Sequence, residues 1–189
     1  MKLGLEQFKS VVRDTVLVSL DLLLMNERGE VLVGRRRHGP ARDCIFVPGG
    51  RVMKGETLSA ALQRVAKKET GLTLSPDDVV LQGIYDHIYA DSCFDDPAIS
   101  TQYVVIACRC PVMSSAPIVA DHQHESLHFM SIVDLMSNPE VHSYTKGYFQ
   151  KNAENLFLGE AYGAALEITE WSAMRRPDAN RDAGSAKRY

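Results

Sequence analysis

Two periodicities organise the apolar positions of this chain. From residue 16 to residue 24 they alternate: Val16, Val18, Leu20, Leu22 and Leu24 share one face of an extended strand, and Asp21 falls on the other with Ser19 and Leu23. From residue 58 to residue 66 the period becomes helical. Leu58, Ala61, Leu62, Val65 and Ala66 stand at i, i+3, i+4, i+7 and i+8, one apolar stripe facing a core, and Gly71 ends the run. The same reading along the chain predicts a short amphipathic N-terminal helix, then strands at 16–25 and 31–36 turned at 26–30, and a helix at 57–69. Strands at 79–88, 101–110 and 126–131 and a short helix at 132–136 follow. Strands and helices in this irregular order predict an α/β fold, a mixed sheet sandwiched by helices.

Polar residues interrupt the pattern at informative places. Glu69 lies in line with the apolar stripe and near a helix C-terminus, where the macrodipole also disfavours negative charge. Such a carboxylate either meets a cation or bends out to water from the last turn. Upstream, the run Phe46, Val47 ends in Pro48, Gly49 and Gly50, a backbone that can approach a ligand closely, cradling phosphate or lending a carbonyl to magnesium. Most such sequences are only turns. Asp21 either lines a cleft or faces solvent, and Tyr103, alternating with Val105 and Ala107, reads by itself as half-core packing. His122, His124 and His128 lie close together, yet no cysteine joins them at a zinc-like spacing; His122 and His128 read as solvated loop histidines.

The segment from Gly50 to Leu72 resembles the Nudix box, G-x5-E-x7-R-E-U-x-E-E-x-G-U with U a bulky aliphatic, through Gly50, Glu56, Arg64, Glu69, Gly71 and Leu72. Two acidic positions depart from it. Val65 stands where the box has glutamate after the arginine, and Lys68 where it has the first of the paired glutamates. Nudix hydrolases use those clustered carboxylates to hold two or more divalent ions, one of which activates water against phosphorus. Here two negative charges are lost and one positive charge gained, so one magnesium ion with few protein ligands is the expected complement, and a protein base must activate the water.

With this shortened box, residues 8–144 are most similar to the GDP-mannose mannosyl hydrolase branch, which attacks the sugar carbon. The carrying segments are 16–21 (VLVSLD), 33–36 (VGRR), 46–52 (FVPGGRV), 86–89 (DHIY), 101–105 (TQYVV) and 121–125 (DHQHE). The resemblance implies a Nudix α/β/α fold, magnesium (manganese able to substitute) held by Gly49, Glu69 and Gln123, and His124 as general base. It further implies that Arg51 and Arg64 support the leaving diphosphate, that Arg36 and Tyr103 orient phosphate, and that Asp21 and His87 lie near sugar and metal. The implied reaction converts GDP-mannose, or GDP-glucose, to GDP and the inverted hexose. Two rivals are a Nudix pyrophosphatase cleaving ADP-ribose or another nucleoside diphosphate derivative at phosphorus, and a catalytically weak protein that binds a nucleotide sugar. A homodimer is the family expectation.

Composition bounds these readings. The chain has 189 residues, 45% hydrophobic, with a net charge of −3, which suits one globular domain and gives no basic field for nucleic acid. No apolar run is long enough to span a bilayer and the N-terminus does not read as a signal peptide, so a cytoplasmic protein is expected. Cys44, Cys93, Cys108 and Cys110 form no CxxC and read as reduced thiols. The expected organisation is a Nudix domain over 1–144, a helical extension over 145–174 that packs on the domain or on a second subunit, and a mobile tail over 175–189.

Overall fold

The computed structural model describes residues 3–94, 96–119 and 124–150, with the backbone alone at His124 and Glu125. Seven strands form one mixed sheet: β1 (Leu17–Met25), β2 (Val31–Arg36), β3 (Ile45–Phe46), β4 (Gly49–Arg51), β5 (Val80–Tyr89), β6 (Thr101–Pro111) and β7 (His124–Met130). Among the described residues four α-helices accompany it: α1 (Leu5–Asp14), α2 (Leu58–Thr70), α3 (Ile132–Ser137) and α4 (Ser143–Gly147). Among the described residues no helix is long and apolar enough to cross a membrane.

β1 is the spine. It runs parallel to β6 from Leu17↔Tyr103 to Met25↔Pro111, and β5 pairs antiparallel with the far side of β6. Its other edge meets β4 at Ser19, Leu20 and Asp21, and β2 only at Met25↔Val31. Beyond that turn β2 diverges to pair with β3 and β7. β1 and β2 therefore splay, and the short β4 enters the gap between them. The turn itself is where the sequence places it: Asn26 Oδ1 accepts the backbone N–H groups of Arg28 and Glu30, and Gly29 supplies φ +74°.

Both sheet faces are covered. Leu20, Leu22 and Leu24 of β1 pack beneath Ala61, Leu62, Val65 and Ala66 of α2, while Leu23 joins Val31, Val33, Phe46, Leu135 and Tyr148 on the opposite face. This is the expected sandwich. Thr57 starts α2 by accepting the Ala60 N–H at 3.2 Å, and Gly71 ends it in the left-handed conformation at φ +74°. Three expected core positions are outside it. Leu58, in the first turn of α2, is 51% exposed, and Val16 and Val18 are 49% and 41% exposed, because the core beneath α2 takes in only the three leucines of β1.

β3 and β4, two and three residues long, fall in the stretch that composition reads as an apolar run and a turn. α4 packs on the domain just past residue 144: Thr145 and Tyr148 are buried. The Tyr144 hydroxyl donates to the Ile88 carbonyl at 2.8 Å and accepts the Ile88 N–H at 2.9 Å, on the outermost strand β5. The rest of the expected extension to residue 174 and the tail over 175–189 lie outside the described residues.

Candidate active site

A cavity of about 280 Å³ opens where β1 and β2 diverge, and eight of the site residues named from sequence line it: Asp21, Arg36, Gly49, Arg51, Arg64, Glu69, His87 and Tyr103. Of the other two, Gln123 lies outside the described residues, and the His124 backbone pairs in register with Arg36. Phe8 and Val12 bring α1 to the same cavity, and the Arg51 guanidinium lies 4.0 Å over the Phe8 ring.

The glycine turn is required sterically. A Cβ on Gly49 would sit 2.5 Å from Asp21 Oδ1 and 2.9 Å from the Leu20 carbonyl oxygen. Flanking bonds run from Leu22 N–H to the Pro48 carbonyl and from Val52 N–H to the Val18 carbonyl. Antiparallel alternation then points Pro48, Gly50 and Val52 at β1 and turns the Gly49 carbonyl away from it. Gly49→Ala is therefore expected to displace Asp21 or the β4 backbone and to lower stability by roughly 1–3 kcal/mol, read as a fall in Tm.

Glu69 is 1% exposed at the end of α2, and Lys68 Nζ stands 2.7 Å from its Oε1. The carboxylate does not bend out to water. Val65 fills the core against Gly50, where a Cβ would come within 3.1 Å of Val65 Cγ2. Arg64 is committed within the protein: Nε and Nη2 reach the two Glu56 oxygens at 2.6 and 2.8 Å, and Nη2 also donates to the Arg51 carbonyl at 2.7 Å. That fork holds the Glu56 carboxyl below the usual carboxylate range and ties the 51–56 turn to α2.

Opposite α2, a buried hydrogen-bonded file crosses the sheet face. Tyr148 donates to Asp21 Oδ2 at 2.6 Å, its oxygen lies 3.2 Å from His87 Nε2, and the Tyr89 hydroxyl lies 3.3 Å from His87 Nδ1. Because the Tyr148 proton is given to Asp21, that oxygen accepts from His87 Nε2–H, and Nδ1 accepts from Tyr89. Tyr144 stacks on the His87 ring at 4.0 Å and 5°. Burial pushes Asp21 up to about 6 and His87 down to about 3, so the imidazole is neutral. His87 is 3% exposed with both nitrogens engaged, and Asp21 is the member that turns an oxygen toward Gly49. Tyr148 and Tyr144 were not named from sequence. Their i, i+4 spacing beside His142 in a helical stretch is the signal that could have found them.

A model described as NUDIX domain matches residues 16–151. The chain belongs to the NUDIX domain family. It is similar to the low-salt glycan biosynthesis protein Agl8 of Haloferax volcanii, at 34% identity over 65% of this chain and 75% of that protein. A shorter match, 36% identical over 33% of this chain, is to the ADP-ribose pyrophosphatase of Methanocaldococcus jannaschii, of which it covers 36%. The fold resembles the crystal structure of a MutT protein from Methanosarcina mazei Go1, with a TM-score of 0.59 at 22% identity, over 71% of this chain and 90% of that one. The chain is a Nudix hydrolase.

Nudix hydrolases generally use divalent metal ions such as magnesium, and the residues present fit one. Gly49 has room for no side chain, its carbonyl is free of β1, and a buried carboxylate, Glu69, lines the same cavity. These are hard oxygen donors of the kind magnesium takes. Among the described residues no group of three or more His, Cys, Asp or Glu side chains is placed to hold a metal.

Proposed function

We propose that this Nudix hydrolase cleaves a nucleoside diphosphate sugar, GDP-mannose or GDP-glucose, at the anomeric carbon, releasing GDP and the inverted hexose. The observation that carries the reading is in α2: Val65 is packed into the core and Lys68 is bonded to Glu69, where the Nudix box sets two metal-holding glutamates. Water activation by several clustered ions loses its carboxylates there, and a protein base takes over that role. The similarity to the Haloferax protein, a protein of glycan biosynthesis, adds support for a sugar-bearing substrate.

In this reading His124, whose backbone neighbours Arg36 across the β2–β7 ladder, takes the proton from the attacking water. Arg51 accepts charge growing on the departing diphosphate, Arg64 holds the Arg51 backbone, and Arg36 and Tyr103 orient the phosphates. Asp21 and His87, which both line the cavity, lie near the sugar and the metal. The Gly49 carbonyl, Glu69 and Gln123 would hold one magnesium ion, or manganese in its place, which would supply further neutralisation of the diphosphate. A cytoplasmic homodimer belongs to the same reading.

The test is hydrolysis of GDP-mannose with magnesium in ¹⁸O-enriched water, followed by mass analysis. Label in free mannose beside unlabelled GDP is the expected result. GMP and mannose 1-phosphate, either one labelled, would place attack at phosphorus and favour the pyrophosphatase reading, to which the Methanocaldococcus relative lends support. Tight binding with no turnover of any nucleotide sugar would favour a binding protein.

A further inference from the structure

We propose that Tyr148, carried just beyond α4, is a positioning residue of the site: it binds one oxygen of Asp21 so that the other is presented to a hydroxyl group of the sugar. The inference rests on the nucleotide-sugar reading of the cavity. Tyr148 is 2% exposed, and its hydroxyl bonds Asp21 and His87, both of which line the cavity. The bond to Asp21 Oδ2 at 2.6 Å fixes one carboxylate oxygen. His87 Nε2 at 3.2 Å fixes the direction of the Tyr148 proton, and Tyr89 at 3.3 Å fixes the His87 tautomer. Three buried side chains thus converge on the rotation of one carboxylate, whose remaining oxygen lies beside Gly49.

The ligand group follows from charge. A carboxylate repels diphosphate oxygens and accepts from neutral donors, which in a nucleotide sugar at this end of the molecule are the hydroxyls. Tyr148 touches no substrate and acts through Asp21 alone. The Tyr148 ring also packs edge-on against Tyr85 at 4.9 Å, a contact that phenylalanine retains.

The experiment compares Tyr148→Phe, Asp21→Asn and the double variant in the full chain. Tyr148→Phe is expected to lower kcat/KM for GDP-mannose by about ten- to a hundredfold, the scale of one hydrogen bond to a charged group, while the affinity for GDP changes by less than about twofold. In the Asp21→Asn background the same substitution should have little further effect, because its route has been removed. Equal losses for GDP and GDP-mannose, or losses that multiply in the double variant, would overturn the proposal. A readout without substrate stands beside these: Asp21→Asn should shift the ¹⁵N signals of the His87 ring in protein that carries Tyr148, and leave them unmoved in Tyr148→Phe. If GDP-mannose is neither bound nor cleaved by the wild-type protein, the functional reading and the sugar assignment fall together, whereas the His87 signals still decide whether Tyr148 links Asp21 to His87.

Discussion

Replacing His124 by alanine is expected to lower kcat for GDP-mannose by about 10²- to 10⁴-fold, the usual contribution of a positioned general base, while KM moves by less than about threefold. In the proposed mechanism the base acts on water in the transition state and has no large share in holding the ground-state substrate. The proposed task is heavier than in a Nudix protein with a complete box, since Val65 and Lys68 stand at two of the acidic positions. The wild-type rate should fall at low pH as the proposed base is protonated, and the alanine variant should lose that limb. Steady-state kinetics across pH 5 to 8 check both statements. A variant that keeps most of the wild-type kcat removes His124 from the base position.

Asp21→Asn is expected to change stability in the opposite direction from most buried substitutions. Burial holds the Asp21 carboxyl at about 6 in the folded chain against an ordinary value of 3.8, so between those values the folded protein binds more protons than the unfolded one. Stability from this group is present at low pH and is lost as pH rises toward 6. At 1.36 kcal/mol per unit the loss is roughly 3 kcal/mol by pH 7, and an uncharged asparagine does not suffer it. Relative to wild type, Asp21→Asn should therefore gain stability steadily from pH 4 to pH 6 and level off above. His87 works in the other sense: its folded value of about 3 lies below the ordinary 6.5, so its stabilisation is complete above pH 6.5 and fades as pH falls. In the wild-type chain the two slopes oppose each other across this interval; in the variant that of His87 stands alone. Urea denaturation at pH 4, 5, 6 and 7 in the presence of a chelator measures the difference, and a difference that does not vary with pH contradicts the buried, late-titrating carboxyl.

The parts of this molecule that were legible in the sequence are those where one periodicity acts over a long run. α2 is framed by Thr57 and Gly71 as its caps demand, and β1, β5 and β6 lie within two residues of where alternation places them. β3 and β4 were hidden because two or three residues carry no period, although Gly50, on β4, opens the box. Most of the named cavity residues came from a resemblance carried by scattered short motifs, which local propensity alone does not connect. Asp21 shows the difference: alternation leaves it facing either a cleft or solvent, and in the structure it is buried and bonded to Tyr148, 127 positions away. Leu58 shows the converse, since helical spacing places it on the apolar stripe but the stripe begins one turn before the core does.

The bond pair between the Tyr144 hydroxyl and Ile88 has a consequence for how these molecules meet one another. β5 ends the sheet order, and an outermost strand with open donors and acceptors is a template on which a second chain can add a strand of its own. At Ile88 both the N–H and the C=O are already taken by one phenolic oxygen, and the Ile88 side chain itself is 63% exposed. An intermolecular ladder growing along β5 would break at that residue, so the same short helix that packs over His87 also keeps this margin of the sheet from edge-to-edge strand addition.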